Sequence, residues 1–151
     1  MLQRLYIHNF KTFQNFELKP EGRHSSLLLG KNGAGKSSVA HALRLLQSVG
    51  RGVNRVGQLV TPRHFFGGHT AAPMRLEVDV VLQGQNFRYN LALELPEKFK
   101  ELRVLEERLE CEGHTVYERA QAQVSLRKLP DAAAGDARFL VDWHLVALPL
   151  I

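Results

Sequence analysis

The sequence has little of what secreted, metal-binding and membrane proteins need. Cys111 is the single cysteine among 151 residues, so no internal disulfide can form, and no cysteine–histidine cluster has metal-ligand spacing. Uninterrupted apolar runs are far too short to span a membrane. The charges of Lys11, Lys19 and Arg23 leave no apolar core for a signal peptide. These absences predict a protein of a reducing, cytoplasmic setting that has no membrane partner.

Acidic residues are also scarce in the first part of the chain. Residues 1–63 contain 10 Lys/Arg against Glu17 and Glu21, a balance of +8, whereas residues 64–151 carry a balance of −3. Such a concentration of cations can serve a nucleotide, a nucleic acid backbone or only solubility. Composition leaves these three open. The length suits one domain or one lobe of a larger one, and the apolar fraction of 44% is normal for a globular core.

The most specific motif is "GKNGAGKS", from Gly30 to Ser37, which matches the phosphate-loop pattern G-x-x-x-x-G-K-[ST]. Glycines let the backbone wrap closely around phosphate oxygens, and the following helix start points its free amides at the anion. The apolar run "SSLLLG" (25–30) before the motif predicts a strand buried on both faces. The apolar spacing after the motif predicts a helix that ends near Gly50. A chance match would lack this context, so the sequence predicts nucleotide binding.

Two strands precede the phosphate loop, and a long connection follows its helix. The alternation in residues 2–10 and 13–18 predicts an antiparallel pair, and "PEG" (20–22) predicts a turn. Residues 49–73 are rich in glycine and proline, which predicts a surface loop with a short helical turn near Val56–Leu59.

The rest of the chain favours strands. Residues 75–95 alternate on either side of Gly84 and predict a hairpin. A second hairpin is predicted over 103–119, turning at Glu112–Gly113–His114, and a further strand over 123–129. Residues 130–137 are predicted to be a loop, and the apolar segment 138–151 has no clear type.

The first third of the chain resembles a known family. The motif "NFKTF" stands between the two predicted strands, and the stretch ends in "LLLGKNGAGKSSVAHAL". In these features it is similar to the N-terminus of the SMC/RecF/OLD-like branch of ABC ATPases. Later segments, "MRLEVDVVLQGQNFRYNLALEL" and "EERLECEG", bear a looser likeness to the β-rich lobe of the RecF/OLD-like ATPases.

The resemblance implies an α/β fold, more narrowly the α+β N-terminal lobe of an ABC-type ATPase, with an antiparallel meander after the phosphate-loop helix. It divides the chain into a hairpin, phosphate loop and helix (1–48), a loop (49–73), an antiparallel β subdomain (74–129) and the start of a missing remainder (130–151).

The resemblance also implies a set of ligand contacts, with ATP and Mg²⁺ as cofactors. Lys36 would reach the terminal phosphates, and the Ser37 hydroxyl would ligate Mg²⁺. For Phe10 and Phe13 a core position at a strand end is an alternative, and for Lys11 a plain surface position. The implied nucleotide-binding residues are Lys11, Thr12, Phe13, Gly30, Asn32, Gly33, Ala34, Gly35, Lys36, Ser37 and Ser38.

Other parts of an ABC-type ATPase have no clear match. "FFGGHT" (65–70) has paired glycines without the serine of a signature segment, Asp142 is followed by Trp143 instead of a catalytic glutamate, and Asp79 falls within a predicted hairpin. Catalytic residues are therefore unassigned. The chain alone is predicted to bind nucleotide weakly and to hydrolyse little of it.

Three functions stay open. The leading hypothesis is the ATP-binding lobe of an SMC/RecF/OLD-like ATPase of DNA repair, DNA maintenance or anti-phage defence, gated by dimerisation with itself or a homologous head. The alternatives are a small stand-alone kinase that uses Asp142 as metal ligand or base, and a non-catalytic interaction module. DNA is a possible partner; the candidate contacts, which could also be solvated surface charges, are Arg44, Arg51, Arg55 and Arg63.

Overall fold

The computed structural model describes residues 1–20, 22–127 and 135–151. The turn predicted at 20–22 and the loop predicted at 130–137 lie partly outside these ranges. The strands are β1 (Leu2–Phe10), β2 (Phe13–Leu18), β3 (Met74–Leu82), β4 (Gln85–Glu94), β5 (Arg103–Cys111), β6 (His114–Ala120), β7 (Gln123–Leu126) and β8 (Ala137–Leu140). The helices are α1 (Lys36–Gly50) and α2 (Val56–Leu59), with 3₁₀ turns at Pro62–His64, Phe66–Gly68 and Leu148–Leu150.

The described strands form one antiparallel sheet in the order β2-β1-β3-β4-β5-β6-β7-β8. β1 lies between β2 and β3, and Leu5 is paired with both Leu18 and Val78. This arrangement confirms the predicted pairing of residues 2–10 with 13–18, both later hairpins and the further strand after residue 123. The short helical turn at Val56–Leu59 is also confirmed.

Two-residue turns close the two hairpins of the meander. Gln83 and Gly84 join β3 to β4, with φ values of 51° and 82°. Glu112 and Gly113 join β5 to β6, with φ values of 49° and 77°. Positive φ at both positions is the mark of a type I′ turn, whose twist matches that of the flanking strands. The glycine in each pair, Gly84 and Gly113, tolerates this backbone conformation, and for this reason the turns form between the two alternating segments of each hairpin.

Helix α1 joins the sheet through one apolar stripe. Its buried residues Val39, Ala42, Leu45 and Val49 recur at helical spacing and belong to the same core cluster as the inward residues of the strands. α1 ends at Gly50, as the sequence predicts. None of the helices in the described ranges has the length and apolar content needed to cross a membrane.

The prediction of a buried strand over 25–30 is wrong for this structure. Residues 25–30 have no strand assignment, and Leu27, Leu28 and Leu29 are 82%, 41% and 80% exposed. Burial on both faces depends on strands and helices that residues 25–30 do not themselves encode. In the described sheet β1 pairs with β2 and β3, and residues 25–30 pair with none of the strands.

A bulge in β5 places a carboxylate in the core. Ala92 is paired with Glu106 but Leu93 with Val104, so Leu105 is an extra residue and the alternation of β5 shifts by one. Glu107, only 1% exposed, therefore faces inward. It accepts hydrogen bonds from the hydroxyls of Tyr89 and Tyr117 and from the amides of Ala147 and Leu148, at 2.7 to 2.9 Å.

This buried carboxylate fixes the last segment of the chain on the sheet. Arg119 lies 3.7 Å from Glu107 and donates to the carbonyls of Asp142 and Leu145. Burial, with the neighbouring carboxylate, raises the pKa of Tyr89 and Tyr117 far above the ordinary tyrosine value. The segment 138–151, for which the sequence indicated no type, thus forms the end of β8 followed by an irregular stretch anchored through Glu107 and Arg119.

Candidate functional site

The phosphate-loop motif forms a compact turn that ends at the start of α1. Gly33 and Gly35 have φ values of 87° and 93°, which side chains other than glycine rarely adopt. The Ala34 amide donates to the Lys31 carbonyl at 3.1 Å, inside the turn. Gly35 caps α1 without any side-chain hydrogen bond to the helix start. The first turn of α1 is therefore open to an external acceptor.

Several amides of this loop have no acceptor within the described part of the chain. They belong to Gly33, Gly35, Lys36 and Ser37. A cavity of about 320 Å³ adjoins them. Free amides at a helix N-terminus favour an anion, both as donors and through the helix dipole. The residues that line this phosphate-loop cavity are Thr12, Asn32, Gly33, Gly35, Lys36, Ser37 and Ser38.

The Lys36 side chain lies across the loop. Its Nζ donates to the carbonyls of Gly30 and Lys31, the latter at 2.8 Å. A Cβ on Gly30 would stand 3.2 Å from the Cβ of Ala34, so the start of the loop passes close to its middle. Lys36 thus holds the loop closed and keeps an ammonium group beside the unpaired amides, where a phosphate would meet it.

The turn between β1 and β2 packs against the phosphate loop. The Thr12 hydroxyl donates to Ser38 Oγ at 2.9 Å. A Cβ on Gly35 would lie 2.3 Å from Phe13 Cζ, so the Phe13 ring rests on the loop backbone, and it stacks on Phe16 with ring centroids 4.2 Å apart. Phe10 is fully buried, in agreement with its core interpretation. Thr12 and Phe13 are therefore next to the loop, with Phe13 supporting it from one side.

Lys11 lines a second cavity, which shares only Ser37 with the first. This cavity measures about 390 Å³ and lies between the β1–β2 turn, α1 and α2. Ser37, His41, Arg44, Ser48 and Gln58 contribute polar side chains to its wall. Lys11 and Thr12 therefore line different cavities, although the resemblance groups them as nucleotide contacts. Lys11 lines the same cavity as Arg44.

A histidine pair lies beside Lys11. The rings of His41 and His64 have centroids 4.9 Å apart, and each packs on Phe10. Burial, followed by the nearby positive charges, lowers the pKa of both imidazoles below the ordinary value of 6.5. The sequence analysis did not identify this pair. His41 lies in α1 and His64 in the 3₁₀ turn Pro62–His64, so no local spacing brings the two rings together.

Asn9 connects the same turn to the long segment that follows α2. Asn9 has a φ of 52°, and its Nδ2 donates to the carbonyls of His69 and Ala72 at 2.9 and 2.8 Å. The Lys11 amide donates to the His64 carbonyl at 2.6 Å. The "NFK" tripeptide therefore anchors residues 64–72 beside the phosphate loop, a structural role that its motif did not reveal.

The remaining acidic candidates do not line the phosphate-loop cavity. Asp142 accepts a hydrogen bond from the His144 amide at 2.7 Å and lines a different cavity, beside Trp143. Asp79 forms a two-bond ion pair with Arg88 on the hairpin. No carboxylate lines the phosphate-loop cavity within residues 1–20, 22–127 and 135–151; its side-chain hydroxyls are those of Thr12, Ser37 and Ser38.

Comparison with known proteins gives one family. A family model described as "AAA domain, putative AbiEii toxin, Type IV TA system" matches residues 25–139, about three quarters of the chain. The match begins just before the phosphate loop and takes in the whole meander. No curated protein matches the chain.

Proposed function

The chain belongs to this AAA-domain family and is a P-loop ATPase-like domain; we propose that it binds ATP, with the phosphates in the loop from Gly30 to Ser37. The observation that carries the proposal is the set of unpaired amides around a cavity at the start of α1, with the Lys36 ammonium beside them. A neutral ligand could accept hydrogen bonds from the amides but would leave the positive charge of Lys36 and of the helix start uncompensated.

The proposed roles follow from chemistry. Lys36 would exchange its two carbonyl acceptors for phosphate oxygens, which are stronger acceptors because they are charged. Mg²⁺ would gain one ligand from Ser37, and its remaining ligands would be phosphate oxygens and water. With ATP bound, the ion would neutralise charge on the phosphates. Thr12, hydrogen-bonded to Ser38, would hold the first turn of α1 in place during binding.

Within this family we propose that the chain belongs to the SMC/RecF/OLD-like group and acts in DNA repair, DNA maintenance or anti-phage defence. Support comes from the packing of the "NFKTF" turn on the loop, through Thr12 and Phe13. Dimerisation with a second head, itself or a homologue, is supported by what surrounds the cavity: no carboxylate lines it among the described residues, so the groups that activate water would come from elsewhere. By itself the chain should therefore bind ATP but turn it over slowly.

The exposed leucines support a partner as well. Leu27, Leu28 and Leu29 are exposed. The backbone of residues 25–29, to which they belong, makes no backbone hydrogen bond to any other described residue. Such a segment gains stability when strands cover it. We therefore propose that a strand of the second lobe of the ATPase covers it. The kinase alternative has no comparable support, because Asp142 lines a different cavity.

Nucleotide affinity of matched lysine variants tests the proposal. Titration calorimetry with ATP and Mg²⁺ would compare the wild type, Lys36→Ala and Lys31→Ala. Loss of a charge-assisted contact worth about 1.5–3 kcal/mol should weaken binding by Lys36→Ala about ten- to a hundredfold. Lys31→Ala removes an equal charge from the same loop but contributes only a backbone carbonyl, so it should bind as the wild type does. Equal affinities for all three proteins would rule out the site.

A further inference from the structure

One face of α1 carries a row of arginine, histidine and serine side chains that leads away from the phosphate loop. The row continues at intervals of four and three residues, so its members lie on one side of the helix, and its last member caps the end of α1; the members are Ser37, His41, Arg44, Ser48 and Arg51. At about 1.5 Å per residue the row extends about 21 Å from the phosphate loop. Lys11 adds a further cation at its beginning, across the second cavity.

The positive charge of this row is uncompensated. No carboxylate lines the second cavity in the part of the chain that the structure describes. Lys11, Arg44 and Arg51 take part in no ion pair among the described residues. Arg55, another candidate from the sequence, differs from them because it faces Glu101 at 3.5 Å. Cations left unpaired on a surface attract an anionic ligand.

The dimensions of the row favour an extended anion over a second nucleotide. Arg44 and Arg51 are separated by a rise of about 10 Å along α1, more than the phosphates of one nucleotide held in the loop could cover. Serine hydroxyls between the cations are donors of the kind that contact phosphodiester oxygens. The row also begins at Ser37, where the phosphate-loop cavity ends.

We propose that Lys11, Arg44 and Arg51 bind successive phosphates of a nucleic acid strand laid along α1, next to the ATP site and separate from it. This inference deepens the proposed function, since it assigns the DNA contact to one face. The contact is to the backbone, so it would have no sequence preference. Because α1 begins at the phosphate loop, one helix would hold the nucleotide at its start and the strand along its outer face.

Fluorescence anisotropy with a labelled single-stranded oligonucleotide tests the inference on the full chain. The comparison is between the wild type, Arg44→Ala/Arg51→Ala and Arg138→Ala. Arg138 is the matched control, because it is exposed on β8 and forms no ion pair with a described residue. The double variant should bind at least about tenfold more weakly, and its slope of log affinity against log salt should fall by roughly 1.4, about 0.7 for each lost phosphate contact on a single strand. Arg138→Ala should behave as the wild type.

Two further arms separate this inference from the proposed function. Arg44→Ala/Arg51→Ala should keep its ATP affinity, whereas Lys36→Ala should lose ATP and keep the oligonucleotide. The inference is overturned if the wild type does not bind the oligonucleotide, if Arg138→Ala weakens binding as much as the double variant, or if a polyglutamate peptide competes as well as unlabelled oligonucleotide. Unchanged thermal unfolding of the variants checks that their fold is intact.

Discussion

At the scale of single residues, the phosphate loop needs glycine at position 35 for two reasons: its backbone has a positive φ, and a neighbouring side chain leaves no room for a Cβ. Gly35 has a φ of 93°, and a Cβ there would meet the Phe13 ring at 2.3 Å. Gly52 has a φ of 102° and open space around it. A side chain at either position would strain the backbone, but only a side chain at Gly35 would also collide with Phe13.

We expect Gly35→Ala to abolish ATP binding and Gly52→Ala to preserve it. Both substitutions should lower the free energy of unfolding by about 1–2 kcal/mol, because each forces a side chain into the left-handed region. Only Gly35→Ala should also displace Phe13 from the loop. Calorimetric titration with ATP, beside urea unfolding, measures both effects. Retained ATP affinity in Gly35→Ala would show that the loop need not have this shape.

The His41–His64 pair should make stability depend on pH. The pKa of each imidazole is lower in the folded chain than the ordinary 6.5, so below about pH 6.5 the unfolded chain binds more protons than the folded one. The free energy of unfolding should therefore be constant above this pH and fall as the pH drops below it. Urea unfolding between pH 8 and pH 5 measures the slope.

The matched control for this pH prediction is the exposed His24. His41→Gln/His64→Gln should flatten the dependence below pH 6.5, since glutamine does not titrate, whereas His24→Gln should leave it as in the wild type. A double variant with the wild-type slope would mean that other groups cause the loss of stability.

At the scale of elements, the sequence predicted the hairpins, whose formation depends on residues close together in the chain. The alternation and the Gly84 and Gly113 turns predict both hairpins, because twist and turn chemistry are local properties. The strand over 25–30 was wrong because burial on both faces depends on strands elsewhere. The extra Leu105 in β5 was missed as well, since a bulge depends on the pairing with β4.

Substitution of Glu107 should test the bulge. Glu107→Ala would leave two tyrosine hydroxyls, two amides and the Arg119 charge without their acceptor, and should lower the free energy of unfolding by about 3–5 kcal/mol. Glu106→Ala is the control, because this neighbour forms only an exposed ion pair with Arg75 and should cost at most about 1 kcal/mol. Equal losses would contradict the inward position of Glu107.

At the scale of the whole molecule, the phosphate loop lies between α1, which packs on the sheet, and the exposed segment of residues 25–29. The sheet and the inner face of α1 share one core, while the leucines of residues 27–29 are exposed. The motif alone predicted the loop residues, because the phosphate-loop pattern encodes its own turn. The separation of Lys11 from Thr12 and its approach to Arg44 could not be predicted, because they depend on how the "NFK" turn crosses α1.

Leu27→Ser/Leu29→Ser should separate folding from association. Because both side chains are about 80% exposed, the free energy of unfolding should change by no more than about 0.5 kcal/mol. If another copy of the chain takes the place of the second lobe on this segment, the wild type should self-associate in sedimentation velocity and the variant should do so more weakly. A large loss of stability instead would mean that the leucines are already packed within the single chain.

The central claim is that the amides at the start of α1 bind the phosphates of a nucleotide, and amide NMR during a titration with ATP and Mg²⁺ measures it most directly. The account predicts that the resonances of Gly33, Gly35, Lys36 and Ser37 shift first and saturate together, while those of the β5–β6 hairpin stay in place. Unchanged resonances for these four amides at saturating ATP would contradict it.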